Sequence, residues 1–123
     1  MRGKEEALTP ADFVHLHNHT QHSLLDGLTR IEELVERVKE LGMEAVAVTD
    51  HGTMSGVLEH YQAAERVGVK PILGLEAYVA ARSRHDRDPA KDKERFHVTL
   101  LAMNDEGLRN LMYLSTEANL NGV

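Results

Sequence analysis

His17 and His19 stand two residues apart, so on an extended segment their side chains project from one face and can grip a single metal ion. Asp26 lies in the loop directly after them, near enough to bend back as an oxygen ligand. His51 follows a short apolar run, and Glu76 is set among the apolar neighbours of another, Lys70 to Ala80. An acidic residue in such a run destabilises the fold unless it is paired or bound to a metal. Together these residues have the makings of a site for two or more ions. Ions about 3.5–4 Å apart can activate a water and stabilise a leaving oxygen, which suits phosphoester hydrolysis. The chain has no cysteine, so nitrogen and oxygen are the donors available. Other chemistries lack their residues: there is no G-x-x-x-x-G-K-[ST] phosphate loop, no H-E-x-x-H and no G-x-S-x-G.

Each of these residues also has an ordinary reading. An isolated H-x-H pair is weak evidence for a metal, Asp26 before Gly27 reads as a turn residue, and Asp50 reads as the cap of the helix that follows. His97, beside Phe96, reads equally as a half-buried histidine. His15 shares a face with His17, and whether it supports a ligand from behind stays open. His22 in the first loop, His60 on a helix and His85 in a charged loop read as solvated surface residues.

The elements that must position these side chains follow from the hydrophobic pattern. Phe13 to Asn18 reads as a strand running into the polar loop Thr20 to Leu28. Thr29 and Glu32 form a capping box for a helix whose Ile31, Leu34, Val35, Val38 and Leu41 recur at helical spacing, with Gly42 placed to end it. Ala45 to Val48 is continuously apolar, as in a buried parallel strand, and runs into Thr49-Asp50-His51-Gly52. A second helix, from about Ser55 to Val67, presents Val57, Leu58, Tyr61 and Ala64 on one side and stops at Gly68. Lys70 to Ala80 is a third strand, Arg82 to Arg95 a mobile exposed loop, and Phe96 to Met103 a fourth strand. Asp105 is placed to cap a last helix with a core side of Leu108, Leu111, Met112 and Ser115. This alternation predicts an α/β fold with parallel strands, either a sheet or part of a β/α barrel, and gathers the polar residues at one rim of strand ends.

At 123 residues and 41% apolar content the chain is the size of one small domain. Its apolar runs fall far short of the roughly 20 residues needed to cross a bilayer. Met1 to Asp12 carries both charge signs and no apolar centre, unlike a signal or transit peptide, so the expected location is the cytoplasm. A formal charge of −6 argues against a nonspecific nucleic-acid clamp in this segment. It leaves room for a nuclease, because metal ions supply the positive charge a phosphate needs.

The stretch His15-Leu-His-Asn-His-Thr-Gln-His-Ser-Leu-Leu-Asp-Gly27 resembles the first motif of the PHP (polymerase and histidinol phosphatase) family, and Thr49-Asp-His-Gly52 resembles the second. Lys70 to Ala80 looks like the segment that supplies the family's bridging glutamate, and Phe96 to Ala102 like the next motif, which supplies a histidine. The resemblance places metal ligands at His17, His19, Asp26, His51, Glu76 and His97. It implies the N-terminal portion, residues 13–123 after a flexible extension 1–12, of a distorted seven-stranded β/α barrel with further ligands on later strands. Ser23 to Gly27, Lys70 to Ala80 and Asn110-Leu-Met-Tyr-Leu114 are similar in particular to the bacterial DNA polymerase III alpha subunits. For a fragment of such a polymerase the resemblance implies DNA and replisome subunits as partners of the parent protein. It implies magnesium at the polymerase site and a metal-binding PHP domain with either 3′–5′ exonuclease activity or a structural role; zinc, manganese and iron all suit the nitrogen and oxygen donors. The other member activity to weigh is that of a free-standing phosphatase acting on a small phosphomonoester such as histidinol phosphate.

Overall fold

A computed structural model describes residues 7–23 and 26–122. The polar loop Thr20 to Leu28 is therefore described except at 24 and 25, and the expected extension only from residue 7. After a single 3-10 turn at Pro10–Asp12, the elements run α1 (Ile31–Glu40), β1 (Ala45–Val48), α2 (Val57–Val67), β2 (Lys70–Ala80), β3 (Arg95–Leu101) and α3 (Asp105–Leu120). The three strands form one sheet in the order β1-β2-β3. All four residues of β1 are buried, which is why the segment is apolar without alternation. β1 pairs in parallel with the start of β2, Ala45 opposite Lys70 through Val48 opposite Leu73. The core is Ile31, Val35 and Val38 from α1, Val46 from β1, Ala63 and Ala64 from α2, and Val69. Burying each of the larger of these contributes about 1.5–3 kcal/mol.

Several expectations are corrected. Among the described residues, Phe13 to Asn18 makes one bridge, His15 to Val46, rather than a regular strand. The Asn18 side-chain amide donates to the Ala47 carbonyl at 2.9 Å, taking the acceptor that the next rung of a ladder would use. No capping box forms at α1: Arg30 is the N-cap without a side-chain bond, because Thr29 is bridged to Thr20. Leu41 is exposed. At α3 the cap is Asn104, whose side chain accepts from the Gly107 N–H at 2.8 Å, and Asp105 is the first helical residue. The last helix buries Leu111, while Met112 is exposed.

The strands are not all parallel. β3 runs antiparallel to β2, with Gly74 opposite Leu101 through Ala80 opposite Arg95. Residues 81–94 contain no crossover helix, and a parallel return requires one or an equally long crossover. That segment is instead folded on itself by a two-pronged Arg82–Asp92 pair, at 2.8 and 2.6 Å, and joined to α3 by Arg84–Glu117 at 2.8 Å.

The second helix is rotated from the expected face. Val57, His60, Ala63 and Ala64 are buried, whereas Leu58 and Tyr61 are exposed. The small Ala63 and Ala64 let the helix approach closely, and Gly68 ends it in the left-handed conformation that glycine adopts without strain. His60, expected at the surface, is fully buried, with Nε2 donating to the Val46 carbonyl at 3.1 Å. Its Nδ1 has no partner among the described residues, so adding a proton there buries an unpaired charge. Burial accordingly holds the His60 pKa below the ordinary histidine value, against smaller opposing effects of the Val46 and Ile72 carbonyls. The unfolded chain takes up this proton near pH 6.5 and the folded chain resists it, so stability is lost as pH falls below about 6.5. Urea denaturation from pH 7.5 to 5.5 should show a His60→Gln variant with a weaker loss than the parent. Equal slopes would contradict this reading of His60.

Candidate metal centre

Backbone pairing brings three segments to one place. Beyond β1 the chain continues beside β2: the Glu76 N–H donates to the Asp50 carbonyl at 3.1 Å and the Gly52 N–H to the Glu76 carbonyl at 3.0 Å. His51 is thereby set next to Glu76. The first segment is tied to the same strand end, with the Thr49 N–H donating to the Asn18 carbonyl at 2.9 Å and the Asn18 N–H to Thr49 Oγ1 at 3.0 Å.

All six residues expected as ligands meet there. Glu76 Oε2 lies 3.1 Å from His17 Nε2 and 3.3 Å from His51 Nε2, and it is in short contact with His19 Nε2. Glu76 Oε1 is 3.5 Å from His97 Nδ1. Asp26 Oδ2 lies 3.0 Å from His19 Nδ1 and 2.8 Å from His51 Nε2. Three overlapping triads result: His17, His19 and Glu76; His19, Asp26 and His51; and His51, Glu76 and His97, each with donor atoms within 4.8 Å of one another. Glu76 is buried, His19 and His51 are half-buried, and His17, Asp26 and His97 are exposed, so the cluster opens to solvent on one side.

The donor set fits divalent ions. Ligands about 2.0–2.2 Å from a common cation stand roughly 3–3.5 Å from each other, which matches the nitrogen-to-oxygen distances here. His51 Nδ1 is buried without a partner among the described residues, leaving Nε2 as the nitrogen presented to the carboxylates. Burial works against ionising Glu76, but bonds from His17 and His19 and the His51 ring outweigh it and hold the carboxyl below its ordinary pKa. For Asp26 the Ser23 hydroxyl, donating at 2.7 Å, is the main cause of a lowered pKa, with His19 and His51 adding to it. Both carboxyls are therefore in the anionic form that binds a cation.

The remaining histidines lie elsewhere. His15 packs edge-on against Phe13 and has no hydrogen bond to the cluster. His22 is half-buried and paired with Glu59 at 2.8 Å rather than solvated, which ties the first loop to α2. His85 is exposed.

Asp50 corrects a further expectation, because it caps no helix. It is buried, and its carboxylate accepts from the Thr20 N–H at 2.5 Å and the Thr20 hydroxyl at 2.8 Å. Since Thr20 follows His19 and Asp50 precedes His51, this contact sets the two imidazoles close together, 4.1 Å between ring centres with their planes tilted at 53°. Ser23 completes the frame by accepting from the His51 N–H at 3.1 Å while donating to Asp26. Sequence reasoning missed these roles for Asp50, Thr20 and Ser23. The signal available was their presence inside the first two motif stretches. Asp50→Ala leaves a buried Thr20 N–H unpaired and should destabilise the fold by about 2–3 kcal/mol in urea titration. A loss under about 0.5 kcal/mol would contradict the assignment, being within the range of unremarkable surface changes.

The PHP domain family model matches residues 15–123. The chain is 50% identical over 113 residues to DNA polymerase III subunit alpha of Helicobacter pylori, covering 89% of this chain and 9% of the relative. The corresponding subunit of Aquifex aeolicus is 50% identical over 117 residues, covering 90% and 10%. That of Mycobacterium tuberculosis is 44% identical over 125 residues, covering 91% and 11%. The chain thus spans about a tenth of the length of these relatives. Among solved structures it is similar to a putative metal-dependent phosphoesterase from Bifidobacterium adolescentis, with TM-score 0.56 and 26% identity over 81% of this chain and 32% of that one. An amidohydrolase from Chromobacterium violaceum shares the fold at TM-score 0.58 and 23% identity, again over 81% and 32%. The chain belongs to the PHP domain family.

Proposed function

We propose that residues 13–123 form the opening portion of a PHP domain within a replicative DNA polymerase III alpha subunit, following a short extension at 1–12. In this reading the domain hydrolyses phosphodiester bonds at DNA 3′ ends with divalent ions held by His17, His19, Asp26, His51, Glu76 and His97. The observation that carries it is the meeting of these six side chains in three triads that share His19, His51 and Glu76. Glu76, with Oε2 towards His17 and Oε1 towards His97, is the shared member able to bridge neighbouring ions. When bound, such ions supply the Lewis acidity that activates water and neutralises charge on a phosphate. Zinc, manganese and iron all suit the nitrogen and oxygen donors, while magnesium belongs to the polymerase centre of the parent protein.

The chain's own residues contribute orientation and charge. Glu76, anchored in β2, fixes the rings of His17, His19 and His51 around one oxygen, while Asp26 holds the opposite nitrogen of His19 and shares Nε2 of His51 with Glu76. The exposed flank at His17 and His97 is the side from which a phosphate can approach. No helix among the described residues is long and apolar enough to cross a membrane. DNA and the other replisome subunits are the partners of the parent protein in this reading, with the acidic PHP segment relying on its ions for contact with phosphate.

A free-standing phosphatase acting on a small phosphomonoester is the second reading, favoured by the structural similarity to the Bifidobacterium phosphoesterase. The higher identity to polymerase subunits supports the first. Single-stranded DNA and histidinol phosphate offered to the manganese-loaded full-length protein distinguish the two. His17→Ala and His51→Ala should each lower DNA hydrolysis by more than about a hundredfold together with bound metal, since even residues behind metal ligands are worth about 10–100-fold. Unchanged hydrolysis from a metal-free variant would overturn the proposal, and lost thermal stability with unchanged hydrolysis would make the site a scaffold.

A further inference from the structure

Tyr78 lies against the metal centre without belonging to it. Its ring is near-parallel to that of His51, at 19° with centres 5.8 Å apart, and edge-on to His97 at 4.8 Å. Room for it is made by Gly52, which has φ +64° and whose position would bring a Cβ to 3.1 Å from Tyr78 Cε2. A side chain at Gly52 would thus be both strained and in the ring's way. Although lodged on three sides, Tyr78 remains 50% exposed and lines a cleft of about 290 Å³ between β2, the 81–94 segment and α3.

The strand register adds a cation. Tyr78 is opposite His97 and Ala80 opposite Arg95, so Glu76, Tyr78, His97 and Arg95 share one face of the sheet. Arg95 also lines the cleft and stands two residues from His97, about 7 Å along the strand. Arg82 and Arg84 are paired with Asp92 and Glu117, but Arg95 makes no ion pair among the described residues. A half-exposed aromatic ring with a guanidinium on the same sheet face is the arrangement that holds single-stranded nucleic acid: a base stacks on the ring and the cation takes a neighbouring phosphate.

We infer that Tyr78 is a specificity-determining residue that stacks a base beside the scissile phosphate, with Arg95 contacting the backbone of the same strand. This rests on the hydrolytic reading above and adds to it why a nucleotide would be selected over a bare phosphodiester.

The test uses the manganese-loaded full-length protein, a short single-stranded DNA oligonucleotide and its fully abasic counterpart, with cleavage (KM and kcat) and anisotropy-detected binding measured for both. The parent should prefer the base-bearing strand about tenfold in KM and in Kd. Tyr78→Ala and Tyr78→Leu should collapse that preference with bound metal retained, whereas Tyr78→Phe, which preserves the ring, should keep it. Arg95→Ala should weaken both strands together and shallow the salt dependence of binding. No preference in the parent, or a preference that survives both Tyr78→Ala and Tyr78→Leu, would overturn the inference. A Tyr78-dependent preference in binding without cleavage of either strand would support the inference while removing the hydrolytic reading.

Discussion

Glu76 is an anion in the middle of a strand, 6% exposed and flanked by the buried Leu75 and half-buried Ala77. Left alone, a carboxyl in that position would be pushed towards its neutral form by burial. It stays ionised because imidazoles from the first segment, the end of β1 and β3 are turned onto it. Each contributing segment must therefore end in register with one residue of β2. The parallel pairing of β1, its continuation through Asp50 to Gly52 and the antiparallel pairing of β3 all satisfy that requirement. The crowding of nitrogen donors on one oxygen is the arrangement a shared cation would relieve, since positive charge among them offsets the burial of Glu76.

The first segment shows how the fold positions ligands without regular structure. His17 and His19 lie on a stretch with one sheet bridge, so backbone pairing alone cannot hold them. Side chains take over: Asn18 binds the Ala47 carbonyl, Thr49 binds the Asn18 backbone, and the buried Asp50 grips Thr20. These bonds lie beneath the cluster and leave the imidazoles free to turn towards Glu76 and Asp26. Ser23 links the loop to the same frame, so Asp26 and His51 are positioned by a common hydroxyl.

Much of this was legible in the residues, for reasons that also explain the rest. β1 and β2 stood out because burial imposes an apolar run, and Lys70–Ala80 has the bounds expected of it. The six clustered residues were accessible through H-x-H spacing, the carboxylate misplaced in an apolar strand and the resemblance of four stretches to one family. The direction of β3 was not, because strand polarity depends on the path of residues 81–94, whose fold is set by charge pairs rather than hydrophobic period. His60 was misread because a histidine in a helix carries no local mark of burial; the Val46 carbonyl that receives it comes from a different element. Asp50 was misread as a cap because its partner lies 30 residues earlier, and local spacing favoured the helix after it.

The metal-holding role proposed for these three triads has a direct test. Anomalous-scattering crystallography of the full-length protein loaded with manganese tests it most directly, because it places ions rather than counting them. Anomalous peaks are expected within the triads of His17, His19, Asp26, His51, Glu76 and His97. An occupied polymerase centre in the same crystal with no anomalous peak among these six residues would contradict it.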